Sequence, residues 1–428
     1  MSFEKFKLDE KILAGVVAAG YKKPTPIQAE SIPPIMEGKD IMGLAQTGTG
    51  KTAAFVLPIL QRLMQGKRGP IRALIIAPTR ELSEQTHEAI MQLGRKTGLS
   101  STSIYGGVSI NTQINRLRSR VDIISACPGR LLDHIGRGTL DLSKVEVLVL
   151  DEADHMFDMG FLPDVRRIVK HLPACRQTLL FSATMPSEIR SLADDLLCDP
   201  VHIQIGDTTP VMTVSHSFYP VQTEQKTALL KDILEKTDTR SVLVFTRTKS
   251  RAKSLAEQLN RIGHKVTSLH GNLTQQKRKQ SLDGFRDGRY EVMIATDIAA
   301  RGIDVTGISH VINYDMPATA DAYTHRIGRT GRAMKTGDAF TFITGQDGDL
   351  LRSLKKLLGE KLQYQNVEGL TVSPSVCESM GTRSGQLTRP NNGRKLFSSR
   401  TPSTRRPGQR SFKDAGRMSW SPRAPQAA

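Results

Sequence analysis

The sequence predicts an α/β protein: two tandem domains with parallel sheets, then a basic, disordered C-terminal tail. Three observations carry this. Short apolar runs recur without polar alternation, as strands buried on both faces do. Amphipathic helical patterns fill the gaps between them, which makes βα units and parallel pairing. The chain has 428 residues, more than a single hydrophobic core organises, so it divides.

Taken in order, residues 1–31 form a leading segment and 32–206 the first domain. Its strands are expected at Ile41–Leu44, Ala73–Ala77, Ile123–Ala126, Val145–Leu150, Thr178–Phe181 and Val201–Ile205. Gly206-Asp207-Thr208-Thr209-Pro210 consists of turn formers and opens a linker over 207–215. The second domain covers 216–377, with strands at His216–Tyr219, Val242–Phe245, Val266–Leu269, Val292–Ala295, Val311–Asn313 and Ala339–Ile343. Between them Ser250–Arg261 reads as a helix, with Ala252, Leu255, Ala256 and Leu259 on one face. No glycine-rich loop with a lysine occurs in this second half.

Residues 378–428 change character. They hold eleven Lys/Arg against two acids, Glu378 and Asp414, and so carry +9 of the net +18. Ser, Thr, Pro and Gly fill the rest, too little apolar surface to fold. Phe397, Phe412 and Trp420 lie among the arginines, which suits attachment to nucleic acid by charge and base stacking. A solubilising tail without a defined partner is the plainer alternative. The overall charge predicts a polyanionic partner.

Cys127, Cys175, Cys198 and Cys377 are far apart, with no Cys-x-x-Cys pair. A disulfide framework and zinc are therefore not expected, and reduced cytoplasmic thiols are. No apolar run reaches the ~18 residues a bilayer span needs. Met1-Ser2-Phe3-Glu4-Lys5 has no signal core. The expectation is a soluble, cytoplasmic protein with no membrane partner.

Two stretches carry chemistry. Ala45-Gln46-Thr47-Gly48-Thr49-Gly50-Lys51-Thr52 follows a strand and opens a helix. Backbone N–H groups in such a turn point at phosphate oxygens; Lys51 would reach the β- and γ-phosphates and Thr52 would hold Mg²⁺. Asp151-Glu152-Ala153-Asp154 ends a second buried strand. Asp151 would hold the Mg²⁺ through water, while Glu152 orients and deprotonates the attacking water. A chance surface turn and a solvated acidic helix start are the plain readings of each stretch. A strand leading into each, at this separation, favours a site for a nucleoside triphosphate.

Asp151–Asp154, Ser182-Ala183-Thr184 and His325-Arg326-Ile327-Gly328-Arg329-Thr330-Gly331-Arg332 together resemble the signature set of DEAD-box ATP-dependent RNA helicases. The resemblance runs from residue 3 to about 345, and Leu150–Gly160 and Phe181–Pro186 are most similar to the bacterial RhlE type. It implies RecA-like domains, with ATP and Mg²⁺ as cofactors. It also implies an RNA-stimulated ATPase that binds single-stranded RNA and locally unwinds short duplexes, releasing ADP and phosphate. Ribosome assembly or RNA turnover would be the setting, with ribosomal or RNA-decay proteins as partners. An ATP-gated RNA clamp with little unwinding would use the same residues and stays open.

The resemblance also assigns roles. Gly20–Gln28 is similar to the family's Q motif, with Tyr21 where Phe is usual. The Gln28 amide matches adenine's donor and acceptor edge; an exposed helix-start residue is its plain reading. Phe3 matches an upstream aromatic and is expected to stack on adenine. Arg329 and Arg332 would reach the γ-phosphate from the second domain, and Asp297 the ribose. Pro78-Thr79-Arg80, Gly106-Gly107 and Pro128-Gly129-Arg130 would contact RNA phosphates from the first domain, as would Thr246, Gly271 and Thr296 from the second. Ser182, Thr184 and His325 would couple the Asp154 region to the second domain, though both hydroxyls equally suit helix caps. Cys127 stands where the family usually has Thr.

Overall fold

The computed structural model describes residues 2–46, 48–205, 214–237, 241–300, 305, 307–330 and 337–365. The linker stretch Gly206–Pro210, Thr47, Arg332, Cys377 and the whole basic tail lie outside the described residues.

The first sheet contains β1 (Ile41–Leu44), β2 (Ala73–Ile76), β3 (Ser101–Ile104), β4 (Ile123–Ala126), β5 (Val147–Leu150), β6 (Gln177–Ser182) and β7 (Val201–Gln204), in the order β3-β4-β2-β5-β6-β1-β7. The second contains β8 (Val214–Pro220), β9 (Val242–Phe245), β10 (Val266–Leu269), β11 (Val292–Ala295), β12 (His310–Asn313), β13 (Gly337–Ile343) and β14 (Leu362–Tyr364). Its order, β10-β11-β9-β12-β13-β8-β14, repeats the first, strand for strand. Every pairing is parallel.

The apolar runs explain the sheets. β2, β4, β5 and β6 are buried along their whole length, because helices cover both faces and each face needs an apolar residue. One face of the first sheet shares a core with Phe55, Leu57, Leu60 and Ile90, and the other with Leu131, Val165, Ile168 and Leu192. The predicted helix after β9 is Lys249–Arg261, with Ala252, Leu255, Ala256 and Leu259 all buried.

Three expectations need correction. Residues 1–31 are not a separate segment: Phe3, Phe6, Ile12, Val16 and Ile27 belong to the first domain's core. The helix Pro26–Met36 also crosses the expected boundary at 31/32. β8 begins at Val214, inside the expected linker. The sequence reading overlooked β3 and β14, the first sheet's polar edge strand and a three-residue strand at the edge of the second.

Residues that follow the carboxyl ends of first-domain strands, where ligands of parallel α/β sheets bind, make contact with the second domain. Arg278 Nε donates to Glu81 Oε1 at 2.7 Å, and both side chains are buried. Among the described residues, no helix is long and apolar enough to cross a membrane.

Candidate active site

The loop after β1 turns at its glycines. Gly48 and Gly50 have φ of 85° and 94°, the left-handed region that glycine enters without steric cost. Gly50 caps the helix Lys51–Leu63, and a Cβ there would meet Gln28 Nε2 at 2.5 Å. Thr49 Oγ1 donates to the Gln46 carbonyl at 2.7 Å. Lys51 is 6% exposed, and its Nζ donates to the Ala45 carbonyl at 2.6 Å. Thr52 sits half-buried in the helix's first turn.

Gln28 is buried rather than an exposed helix start. Its Oε1 accepts the Thr25 N–H at 3.0 Å, closing a capping box, and its Nε2 donates to the Gly50 carbonyl at 3.0 Å. One side chain thus ties the Gly20–Gln28 segment to the loop after β1. Phe3 does not present its ring outward: it is buried and stacks on Tyr21 at 6.2 Å. The exposed ring is Tyr21, at 40%, so Phe3 supports it from behind.

After β5 the backbone turns sharply. Glu152 has φ 54° and ψ 55° at the start of the helix Ala153–Asp158, a strained conformation for a residue with a side chain. Asp151 Oδ1 is buried without a hydrogen-bond partner. Burial, then the neighbouring Glu152 carboxylate, pushes the Asp151 pKa up to about 7. An orphaned carboxylate oxygen of this kind, with a threonine hydroxyl at the loop's end, suits a hydrated Mg²⁺, a hard cation that takes oxygen ligands. Burial alone would raise Glu152 too. However, His155, then Lys51 and Arg329, hold it well below the usual carboxylate range.

Asp154 gathers contacts from both domains. Its N–H donates to Ser182 Oγ at 3.1 Å, and its Oδ2 accepts from Thr184 N and Oγ1 at 2.9 and 3.1 Å. Across the domain gap, His325 Nε2 lies 3.7 Å from Asp154 Oδ2. Burial opposes ionisation of Asp154, but His155 and His325 lower its pKa. Arg329 is buried nearby, close enough to act on Glu152. Asp297 is already engaged: Arg326 grips it at 2.5 and 2.7 Å while also donating to Asn313 and the Asp315 carbonyl. Asp297, His325, Arg326 and Arg329 line one small cavity.

On the expected RNA face, several side chains are occupied within the protein. The Thr79 hydroxyl accepts the Leu82 N–H at 3.2 Å as a helix cap, and Pro78 beside it is buried. Arg130 donates to the Val108 carbonyl and Gln113 and pairs with Asp133. Thr246 is buried against the Thr248 carbonyl, and the Thr296 carbonyl accepts from Ala299 and Ala300. Gly107 is exposed with φ 81°, and a Cβ there would collide with the Arg80 guanidinium at 2.1 Å. Gly106 packs more loosely against the same group, and Gly271 lies beside Lys249. Gly129 is exposed after Pro128, in the first turn of the helix Pro128–Gly136. What this face offers a phosphate is mainly backbone N–H at helix starts, with Arg80.

The sequence reading missed three participants: His155 bonded to Glu152, Arg326 holding Asp297, and the Glu81–Arg278 bridge. The spacing of His155, one helical turn from Glu152, was the only available signal. The other pairs join positions 29 and 197 apart.

Comparison with known proteins gives a consistent picture. The family described as DEAD/DEAH box helicase matches residues 25–192, and the helicase conserved C-terminal domain matches 225–334. The DEAD-box ATP-dependent RNA helicase CshA of Bacillus cereus (strain ATCC 10987 / NRS 248) is 44% identical over 370 residues, 86% of this chain and 70% of that one. CshA of Bacillus subtilis (strain 168) is 43% identical, covering 85% and 73%. Among solved structures, S. cerevisiae Dbp5 bound to RNA and ADP BeF3 superposes with a TM-score of 0.76 at 32% identity, covering 86% of this chain and 95% of that one. These relatives are named CshA, so the narrower likeness to the RhlE type gains no support.

Proposed function

The chain belongs to the DEAD-box family of ATP-dependent RNA helicases, enzymes that hydrolyse ATP, and from that premise we propose how its residues divide the work. The observation that carries the proposal is the contact of His325, a second-domain residue, with the first domain's acidic turn: its Nε2 lies 3.7 Å from Asp154 Oδ2 and its ring packs on His155 at 4.8 Å. The hydrolytic site is complete only when both domains meet.

Gly48–Thr52 binds the triphosphate through backbone N–H groups, and Lys51 exchanges the Ala45 carbonyl for phosphate oxygens. Thr52 and Asp151 would hold Mg²⁺, and the cation would neutralise phosphate charge. Glu152, ionised at neutral pH, orients the attacking water and accepts its proton. Arg329, with Arg332 as the second expected arginine, stabilises charge developing on the γ-phosphate. Tyr21 stacks on the base. Gln28 still has one N–H and one lone pair by count to read adenine, since its two bonds use half of the amide's capacity.

RNA lies across the carboxyl edges of both sheets, held by its backbone without base reading. Asp154, with Ser182, Thr184 and His325, ties ATP contact to domain contact, so RNA and ATP assist each other's binding reciprocally. Holding one strand across both domains separates it locally from its partner, so short duplexes open. A cytoplasmic setting in ribosome assembly or RNA turnover, with protein partners there, fits this activity.

ATPase rates without nucleic acid, with RNA and with DNA test the reading, alongside strand displacement on a short RNA duplex. RNA should stimulate strongly and the duplex should open. Stimulation and binding without displacement would instead establish an ATP-gated clamp. ATP should be preferred to GTP, and Gln28→Ala should narrow that preference.

A further inference from the structure

His155 is the first residue after Asp154 and no motif accounts for it. It is buried, and its Nδ1 lies 2.8 Å from Glu152 Oε2. A carboxylate only accepts, so Nδ1 carries the hydrogen and donates it. Its ring also packs edge to face against the His325 ring of the second domain, at 4.8 Å between centroids and 81° between planes. Glu152 itself sits in strained left-handed backbone, and its carboxylate lies at the end of a side chain with three rotatable bonds. One neighbour therefore touches both the water-orienting carboxylate and the arriving domain.

We propose that His155 is a positioning residue: it fixes the Glu152 carboxylate through Nδ1 and stiffens in that pose when His325 packs on its ring. This rests on the reading of Glu152 as the residue that orients the attacking water. Partners that orient a reacting-centre ligand typically matter ~10–100-fold in activity, and an edge-to-face ring contact ~2–10-fold. The two contacts can be removed separately. His155→Asn keeps an N–H donor near the Nδ1 position and loses the ring; His155→Phe keeps the ring and loses the donor.

Full-length variants should be assayed for ATP hydrolysis at saturating RNA, with Glu152→Gln alongside. His155→Ala and His155→Phe should lose ~10–100-fold in kcat with the ATP KM within about threefold of wild type. His155→Asn should recover most of that rate. Its RNA concentration for half-maximal ATPase should still rise ~2–10-fold, because the contact with His325 is gone. If His155→Ala fails to fold, the Asn and Phe variants decide between them. Loss in Asn as deep as in Phe, or wild-type kcat in Phe, overturns the proposal while an inactive Glu152→Gln leaves the base reading standing. Normal turnover in Glu152→Gln removes that reading, and this proposal with it.

Discussion

Lys51-Thr52 and Lys226-Thr227 occupy the same place in the two repeated sheets, each opening the helix that follows the equivalent strand, β1 or β8. An aspartate stands at the matching end of β5 and of β12: Asp151 and Asp315. The surroundings then diverge. Gly48 and Gly50 precede Lys51, whereas Val221-Gln222-Thr223-Glu224-Gln225 precedes Lys226, with no glycine and one acid. Asp151 keeps an oxygen without a hydrogen-bond partner. Asp315 is satisfied from both sides, by Lys226 Nζ at 3.1 Å and by the Arg247 N–H at 2.9 Å. Glu152 follows the first aspartate and buried Met316 the second. A lysine and an aspartate at these positions therefore do not make a phosphate site. The site needs charges left uncompensated by the protein; the second domain has paired its own into a strut beneath Arg247 and Arg326.

The sharpest way to break the contrast is to make the first domain resemble the second. Glu152→Gln should reduce RNA-stimulated turnover by ~10²–10⁴-fold while nucleotide binding, followed by a fluorescent analogue, stays near normal. Turnover within a few-fold of wild type would take Glu152 out of the chemistry. In the second domain the corresponding pair should matter for stability. Lys226→Met leaves the buried Asp315 without its cation, with only the Arg247 N–H bond, so denaturant unfolding should show a loss of ~3–5 kcal/mol. Replacing both, Lys226→Met with Asp315→Leu, should restore most of it. A single variant as stable as wild type would mean that the strut carries nothing.

The titration of Asp151 offers a smaller effect with a definite sign. Burial and Glu152 raise its folded pKa from 3.8 to about 7, so the folded state binds that proton more tightly than the unfolded one. The stability it contributes is present below about pH 4 and is lost as pH rises through about 7. Asn does not titrate. Without nucleotide or Mg²⁺, Asp151→Asn should melt a few degrees higher than wild type at pH 8, with the gap closing towards pH 4. A gap independent of pH would assign the effect to packing. Smallest is Cys127→Thr, which gives the helix start after β4 the residue its counterpart has after β11, Thr296. The buried Cys127 thiol, its pKa pushed up to about 12 by burial, makes no capping bond. A threonine cap there should add ~0.5–1 kcal/mol by thermal melting; no gain would mean the hydroxyl is also unbonded.

The same comparison locates what the sequence made legible. Central strands such as Ile41–Leu44, Ile123–Ala126, Val242–Phe245 and Val292–Ala295 were read to the residue, because burial on both faces favours small and apolar residues. Ser101–Ile104 escaped because an edge strand tolerates Ser-Thr-Ser. The phosphate loop and the Asp151–Asp154 turn were legible because their chemistry is local in sequence. The Asp297–Arg326 and Glu81–Arg278 pairs were not, since their partners stand 29 and 197 positions apart and meet only through folding, the first within the second domain and the second between domains. Lys226-Thr227 was overlooked for a different reason: glycine marks a phosphate loop, and the second domain has the lysine without glycines before it.

The repeated strand order also has a kinetic consequence. Every strand of the first sheet lies before residue 205, and the second sheet begins at Val214. At ~5–20 residues per second of synthesis, on the order of ten seconds pass between completion of β7 and the appearance of β14. The first sheet can begin to close in that interval, while the second sheet is still incomplete. Chains refolded from denaturant lack this temporal separation, and two sheets of the same order offer each other's strands as wrong partners. Refolding yield should therefore fall short of yield from synthesis, and the deficit should vanish when the two halves are refolded apart.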